Sequence, residues 1–240
     1  MKQQFLAGVS LGTIAALAGG VAQAADLGAR PVYKAAPAMV PAFTWTGFYV
    51  GGNIGFASTR SSVANDPSSP IAWLNGPISA NGTKFIGGLQ AGYNWQIQNF
   101  VLGLEGDISF GSGTRSGTGT SLGGTDIFSS RLSWLSTIRG RLGVAFDRLL
   151  VYGTGGVAFA KFNDTLTDTF PFTATPSSNQ TGWAAGAGLE YAFTEHWTVR
   201  GEYLHAGFRS RTALDSAGNG YVFAFKDSVD IGRVGINYKF

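Results

Sequence analysis

Four carboxylates and four arginines lie in segments of alternating polarity, where acid–base chemistry could occur. Paired Asp or Glu side chains catalyse glycoside hydrolysis as general acid and base or nucleophile. The carboxylates are Glu105, Asp107, Glu190 and Glu202. The arginines, which share the same predicted face, are Arg139, Arg141, Arg200 and Arg233. Because opposite charges on one face neutralise each other, we expect a buried charge network rather than catalysis.

The two histidines of the chain are the candidates for a general base that activates a serine nucleophile. Such catalysis needs a His beside a Ser, usually with a carboxylate that orients the His. His196 falls in a predicted turn, and Ser210 follows His205 by five residues instead of facing it. We therefore predict that the protein is not an enzyme and has no catalytic residues.

Composition also argues against metal, cofactor and nucleic-acid sites. The sequence has no cysteine, which excludes a disulfide framework and a thiolate metal site. The Gly-rich stretch "GSGTRSGTGTSLGG" lacks the Gly-Lys-Ser/Thr ending of a phosphate-binding loop. A formal net charge of +3, scattered along the chain, does not indicate a nucleic-acid partner. We expect no metal and no cofactor.

The N-terminus has the features of a secretory signal peptide. Lys2 precedes an apolar run from Phe5 to Leu17, and "VAQA" ends in the small-x-small pattern of a cleavage site. We predict a signal peptide over residues 1–24, with a short membrane anchor as the alternative. Residues 25–44 are rich in Ala and Pro and lack strand alternation, which predicts a flexible periplasmic lead-in.

Residues 45–240 repeat one pattern, about ten residues of alternating polarity followed by a turn or a polar loop, which is typical of a transmembrane β-barrel. Only 13% of the chain is charged, against about 25% in soluble proteins. The pattern predicts eight strands, at 46–57, 85–96, 100–110, 132–145, 149–160, 181–193, 197–208 and 229–240.

The connections between these strands alternate in length. Three are hairpin-sized, "IQN", "FDR" and "TEH". The others, at 58–84, 111–131, 161–180 and 209–228, are rich in Ser, Thr, Gly, Asn and Asp, so we expect them to be solvated and to form no core. We predict an all-β, eight-stranded antiparallel barrel with short periplasmic turns, four long extracellular loops and both termini in the periplasm.

The face that carries charge distinguishes a membrane barrel from the soluble alternatives, a secreted β-sandwich and a lipocalin-like barrel. An outward Arg or Lys at the bilayer midplane costs about 2 to 4 kcal/mol. In "FVLGLEGDISF", Glu105 and Asp107 lie on the face opposite the leucines, and the other charged strands show the same separation. We therefore place the charges in the lumen. Asp230 has outward parity near the loop end of its strand, and the fifth strand is apolar on both faces and has no assigned parity.

The predicted lumen is narrow. Eight strands enclose an interior that side chains can fill, so the charges are expected to plug it. The inward positions of the first strand are Gly47, Gly51, Asn53 and Gly55. Counting from the predicted turns places Glu105 nearly level with Arg141, and Asp107 nearly level with Arg139, so we expect the third and fourth strands to pair their charges.

The chain ends with aliphatic and aromatic residues at a period of two, which are Val234, Ile236, Tyr238 and Phe240. The pattern resembles the signal read by the outer-membrane assembly machinery. The alternative is a strand that merely ends in an aromatic residue.

The chain resembles a family of small outer-membrane β-barrels that includes immunogenic outer-membrane proteins and haemin-binding proteins. The resemblance rests on "WTGFYVGGNIGFA", "FIGGLQAGYNWQ", "STIRGRLGVAFDRLLVYGTGGVA", "GWAAGAGLEYAFTEHWTVRGEYLH" and "VGINYKF". It implies a porin-like barrel of the OmpA transmembrane type and, in some members, haemin binding or host contact. Haem ligation would require a His or Tyr in an outer loop, where only Tyr221 qualifies.

These observations predict an outer-membrane protein with a structural and surface-interaction role. The alternatives are a narrow porin-like channel for small solutes and a haemin-binding surface protein. The expected partners are outer-membrane lipid, the assembly machinery and an extracellular ligand or host surface that meets the loops.

Overall fold

The computed structural model describes residues 43–111, 114–122, 124–168, 173–174, 177–214 and 220–240. The predicted signal peptide, and the lead-in up to residue 42, lie outside the described residues and stay predictions. None of the described segments forms a helix that is long and apolar enough to cross a membrane.

Eleven strands make up the described fold. They are β1 (Gly47–Asn65), β2 (Ile78–Ile97), β3 (Phe100–Gly111), β4 (Arg115–Ser121), β5 (Gly124–Phe146), β6 (Leu149–Asp168), β7 (Thr173–Ala174), β8 (Ser177–Ala192), β9 (Trp197–Phe208), β10 (Arg211–Leu214) and β11 (Val222–Lys239). The short strands β4, β7 and β10 pair with the ends of β5, β6 and β11.

The other eight strands form a closed antiparallel ring. Each pairs with its neighbours in the order β1, β2, β3, β5, β6, β8, β9 and β11, and β11 pairs back to β1. The eight-stranded barrel is confirmed. Because the ring is closed, none of these strands has an unpaired edge. A sheet in lipid requires this, since its backbone groups cannot form hydrogen bonds with water there.

Three short connections mark one end of the barrel. They join β2 to β3, β5 to β6 and β8 to β9, as predicted. Gln98 and Asp147 begin the first two turns with positive φ angles of 55° and 53°, which tight hairpins require. We call this end, which also holds the C-terminus, the turn end, and the opposite end the loop end.

The outer wall carries an apolar band. Along β1, Phe48, Val50, Ile54 and Phe56 are outward and exposed, while Asn53 between them is buried. The nine residues from Phe48 to Phe56 approximate the length that a tilted strand needs to cross a bilayer. The fifth predicted strand now has a parity, because the even-numbered residues from Leu150 to Ala160 point inward.

The strands extend well beyond the predicted segments. The predicted long connections are partly strand, because β1 continues to Asn65, β6 continues to Asp168, and β11 begins at Val222. The prediction that these connections form no core is wrong, because they contribute a cluster of buried apolar residues. Loop-ward of the apolar band the outer wall becomes polar, with residues such as Arg60 and Ser62 outside, while the inside holds apolar residues together with buried polar ones such as Thr59 and Asp164. The inward apolar residues form a loop-end cluster of Val63, Leu74, Ile78, Ala80, Phe128, Leu166, Phe223 and Phe225.

The interior is layered along the barrel axis. Along β5 from the turn end, the inward side chains pass from Ala145 through Arg141 and Arg139 to Leu135 and Phe128. Ala145 belongs to a turn-end cluster with Phe43, Trp45, Val101, Leu150, Tyr152 and Ala192. Leu135 belongs to a middle apolar cluster with Ala57, Ile86, Leu132, Ala158, Ala160, Phe162, Ala184, Leu204, Ala206, Phe208, Val229 and Ile231. A layer of charge therefore lies between apolar layers.

Candidate functional site

The charged layer contains all eight predicted charges, on strands β3, β5, β8, β9 and β11. Each side chain has inward parity because the outward positions of these strands hold residues that lipid solvates better. The structure leaves at most 5% of each of the eight residues exposed: Glu105, Asp107, Arg139, Arg141, Glu190, Arg200, Glu202 and Arg233. The layer holds four positive and four negative formal charges, so it is neutral as a unit.

Arg139 lies at the centre of the layer. Its Nη2 atom donates to Glu105 Oε1 at 2.6 Å and to Asp107 Oδ2 at 3.0 Å. Its Nη1 atom donates to Glu202 Oε1 at 2.8 Å, and its Nε to Thr137 Oγ1 at 2.8 Å. One guanidinium therefore bridges carboxylates from β3 and β9 across the lumen.

Two further arginines complete the same network. Arg233 donates from Nε to Glu202 Oε2 at 2.7 Å and from Nη1 to Asp107 Oδ1 at 3.0 Å. Arg200 donates to Glu105. Three carboxylates and three arginines thus share contacts, and no carboxylate depends on a single partner.

Arg141 and Glu190 form a separate pair on the turn side of this network. Glu190 also accepts a hydrogen bond from Thr198 Oγ1 at 2.5 Å and one from Asn237 Nδ2 at 2.8 Å. The guanidinium carbon of Arg141 lies 3.6 Å from the centroid of the Tyr152 ring, in a cation–π contact. Both charges are therefore compensated by more than their ion pair.

The predicted heights of the charges need one correction. Glu105 lies opposite Arg139, two residues away from the predicted alignment with Arg141, which lies opposite Gly103. The predicted contact between Asp107 and Arg139 does form, on a diagonal. Counting from the turns neglected the stagger that tilted strands must have for a barrel to close.

Sequence reasoning missed several polar residues of the layer. Tyr49 donates from its hydroxyl to Glu105 Oε2 at 2.7 Å. Gln90 Nε2 donates to Asn237 Oδ1 at 2.7 Å, and Gln90 accepts from Asn53, whose inward position was predicted. Tyr49 could have been identified from its inward parity, because it alternates with the outward residues Phe48 and Val50. Gly92 makes room for it, since a Cβ there would lie 2.5 Å from the Tyr49 hydroxyl oxygen.

The described residues offer little for catalysis or metal binding. Every carboxylate of the charged layer is bound by arginine, and no cluster of three or more His, Asp or Glu side chains suited to a metal occurs in the described ranges. His196 lies at the turn end, stacked on Tyr238 with ring centroids 5.7 Å apart. His205 lies on the outer surface, where its Nδ1 atom is 2.7 Å from Asp230 Oδ1. The absence of enzymatic activity stays a prediction.

Comparison with known families identifies the barrel. The family of the outer membrane protein beta-barrel domain matches residues 11–240, nearly the whole chain. The chain belongs to this family. It is an outer-membrane protein, as the names of its relatives also state. The 31 kDa outer-membrane immunogenic protein of Brucella melitensis is 35% identical, over 97% of this chain and 99% of the relative. The 22 kDa outer membrane protein of Rhizobium leguminosarum bv. viciae is 31% identical, over 71% and 68%.

A solved structure shares the fold of this outer-membrane barrel. The outer membrane protein OprG from Pseudomonas aeruginosa aligns with a TM-score of 0.55 and 16% identity, over 82% of this chain and 98% of OprG. At that identity the likeness concerns the fold alone.

The residues of the predicted assembly signal share the outer face of the barrel. Val234, Ile236 and Phe240 are exposed, and Tyr238 packs against Trp197 with ring centroids 5.1 Å apart. The backbone N–H of Phe240 donates to the carbonyl of Phe48 at 3.0 Å, across the seam where the last strand meets the first. Recognition by the assembly machinery stays a prediction.

Proposed function

We propose that this outer-membrane barrel is a closed structural and surface-interaction protein whose lumen is plugged. The observation that carries the proposal is the charged layer, whose eight paired side chains are each at most 3% exposed. A water-filled pore would expose these groups. Charges without water are costly unless paired, and here every carboxylate has an arginine partner.

The apolar layers on either side support the same function. A solute that crossed the lumen would pass the turn-end cluster, the charged layer, the middle apolar cluster and the loop-end cluster in turn. Phe162, Leu204 and Ile231 of the middle apolar cluster are at most 1% exposed. Apolar constrictions exclude water, so they add a second barrier to that of the charges.

The surface role follows from the ends of the barrel. We place the loop end outside the cell and both termini in the periplasm, because barrels of this class put short turns in the periplasm and long loops outside. Several relatives are named immunogenic proteins, a description that fits loops exposed at the cell surface. An extracellular ligand or a host surface would meet the loop end, while lipid surrounds the apolar band.

Haemin binding receives no support from the described loop end. Tyr221, the candidate iron ligand, is half-buried and packs against the loop-end cluster. Its ring lies over Trp73, with centroids 4.8 Å apart. These contacts do not fit a residue that presents its hydroxyl to iron.

One observation favours the narrow channel as a second candidate. Among the described atoms, Nε and Nη1 of Arg141 and Nε and Nη2 of Arg200 have no hydrogen-bond partner. Buried polar atoms of this kind are commonly satisfied by ordered water. A hydrated channel for small solutes would place water beside these two arginines and so satisfy these atoms.

Solute uptake into liposomes distinguishes the two functions. Refolded protein would be reconstituted with its orientation checked by protease access, and swelling would be followed in small sugars of increasing size. The plugged barrel predicts swelling no faster than that of protein-free liposomes. Size-dependent swelling would replace the proposal with the channel.

A further inference from the structure

Three basic side chains lie together on the outer surface, just loop-ward of the apolar band. They are Arg60 on β1, Lys226 on β11 and Arg209, which follows β9, and we call them the basic patch. All three are exposed, and the side chain of Arg60 is 65% exposed. Arg60 follows Phe56, the last apolar residue of the band on β1, by four residues on the same face.

The strand register brings the three cations together. Arg60 pairs with Ser228, and Lys226 lies two residues from Ser228, so the two cations are diagonal neighbours within reach of long side chains. On the side of β11 that faces β9 and β10, Ser228 pairs with Gly207 and Phe225 pairs with Arg211. Lys226 lies between Ser228 and Phe225, so it faces the residues between Gly207 and Arg211. Arg209 therefore lies beside Lys226.

The basic patch keeps an excess of positive charge. Asp230 is the one outward carboxylate on the described parts of β1, β9 and β11, and it is already bound. It accepts from Arg60 Nη1 at 2.6 Å and from the Tyr203 hydroxyl at 2.7 Å, and it contacts His205. Within the described ranges, no carboxylate lies at salt-bridge distance from Arg209 or Lys226.

We propose that the basic patch binds the phosphate groups of a phosphorylated glycolipid of the outer leaflet, of the lipid A type. Arginine forks match phosphate geometry, and lysine adds a point charge. The hydroxyls of Ser62 and Ser228 flank Arg60 and Lys226 and can donate to phosphate oxygens. The acyl chains of the same lipid would lie on the apolar band directly below. The inference rests on the proposed orientation, in which the loop end faces outward.

The opposite wall supplies a matched control. Arg131 on β5 and Lys161 on β6 also follow the apolar band on the outer face, and the register places them near each other. Arg131→Gln/Lys161→Gln removes the same charge as Arg209→Gln/Lys226→Gln. Both pairs lie on the outer surface, outside the charged layer.

Lipid binding to the folded barrel tests the proposal. Native mass spectrometry in detergent would count bound bis-phosphorylated lipid A, its dephosphorylated form as a second ligand, and inorganic phosphate as a competitor. We expect the dephosphorylated form to bind at least tenfold more weakly. Arg209→Gln/Lys226→Gln should weaken binding of the phosphorylated form roughly 25-fold, or about fivefold per cation, and the control pair less than twofold.

Several results would overturn the inference. They are equal binding of the two lipid forms, wild-type binding by Arg209→Gln/Lys226→Gln, or an equal loss in the control pair. Displacement of lipid A by a moderate excess of inorganic phosphate would assign the patch to free phosphate instead. A conducting barrel would refute the plugged lumen without changing lipid binding, so the two proposals fail separately.

Discussion

Removal of the Arg139 side chain probes the charged layer at its centre. Arg139→Ala deletes the ion pairs to Glu105, Asp107 and Glu202, at 2.6, 3.0 and 2.8 Å, from a side chain that is fully buried. Breaking a buried pair by removing one partner costs about 3 to 5 kcal/mol. Arg200 and Arg233 still contact the same carboxylates, so we expect the lower end, about 3 kcal/mol.

Equilibrium unfolding in urea measures this loss, with the barrel in lipid vesicles and tryptophan fluorescence as the signal. Arg148→Ala is the matched control, because Arg148 pairs with Glu195 at 2.7 Å but both side chains are at least one third exposed. An exposed pair of this kind contributes about 0 to 1 kcal/mol. The two variants remove the same atoms, so their difference reports what burial and the two additional ion pairs contribute to the free energy of unfolding.

A double variant tests whether the charges act as a network. Arg139→Ala leaves four carboxylates with three arginines, and Glu105→Gln in the same chain restores three of each. The double variant should therefore be more stable than the sum of the single losses predicts, by about 0.5 to 3 kcal/mol. Equal losses for Arg139→Ala and Arg148→Ala, or strict additivity in the double variant, would refute the reasoning.

Three further predictions concern assembly and packing. Unboiled protein should migrate differently from boiled protein in detergent gels, because the closed hydrogen-bonded ring resists detergent; identical mobility would contradict the barrel. Deletion of Phe240 should lower the amount of assembled protein in outer-membrane fractions, since it removes the end of the predicted assembly signal and a contact across the seam; unchanged levels would count against the signal. Gly51→Ala should destabilise the barrel by about 1 to 3 kcal/mol in urea, because its Cβ would clash with the Ile236 carbonyl oxygen. Gly201→Ala, which meets open space, should be neutral, and equal effects would refute the packing argument.

The faces of the barrel could be predicted from the sequence because lipid penalises charge strongly. Glu105 and Asp107 could not share a face with Leu102 and Leu104 at membrane depth, so parity alone placed them inside. The fifth strand lacked this signal, since its inward Leu150 and Tyr152 are as apolar as its outward neighbours. Which residues of this strand, β6, point inward is determined only by its pairing with β5 and β8.

The loop-end interior could not be predicted from composition. Loop-ward of Phe56 the outer wall becomes polar, with Ser58, Arg60 and Ser62 at outward positions, while the inward positions mix polar and apolar residues. A segment such as "STRSSVAN" then resembles a polar loop, although Val63 at its inward parity is fully buried. The change of solvent along one strand explains why the predicted strands stopped too early.

The partners within the charged layer were only partly predictable. The connection between β3 and β5 is long, so no tight turn fixes their register, and Glu105 meets Arg139 rather than Arg141. The pair of Arg141 with Glu190 joins β5 to β8, strands that are not neighbours in the ring. Contacts across a lumen depend on its diameter and on strand stagger, which local sequence does not encode.

Single-channel recording of the refolded wild-type barrel in planar bilayers tests the plugged lumen most directly. The paired charges and the flanking apolar clusters predict a silent bilayer with rare, brief openings at most, and more frequent openings for Arg139→Ala. A steady conductance of the wild type that Arg139→Ala leaves unchanged would show that the lumen is an open, hydrated channel.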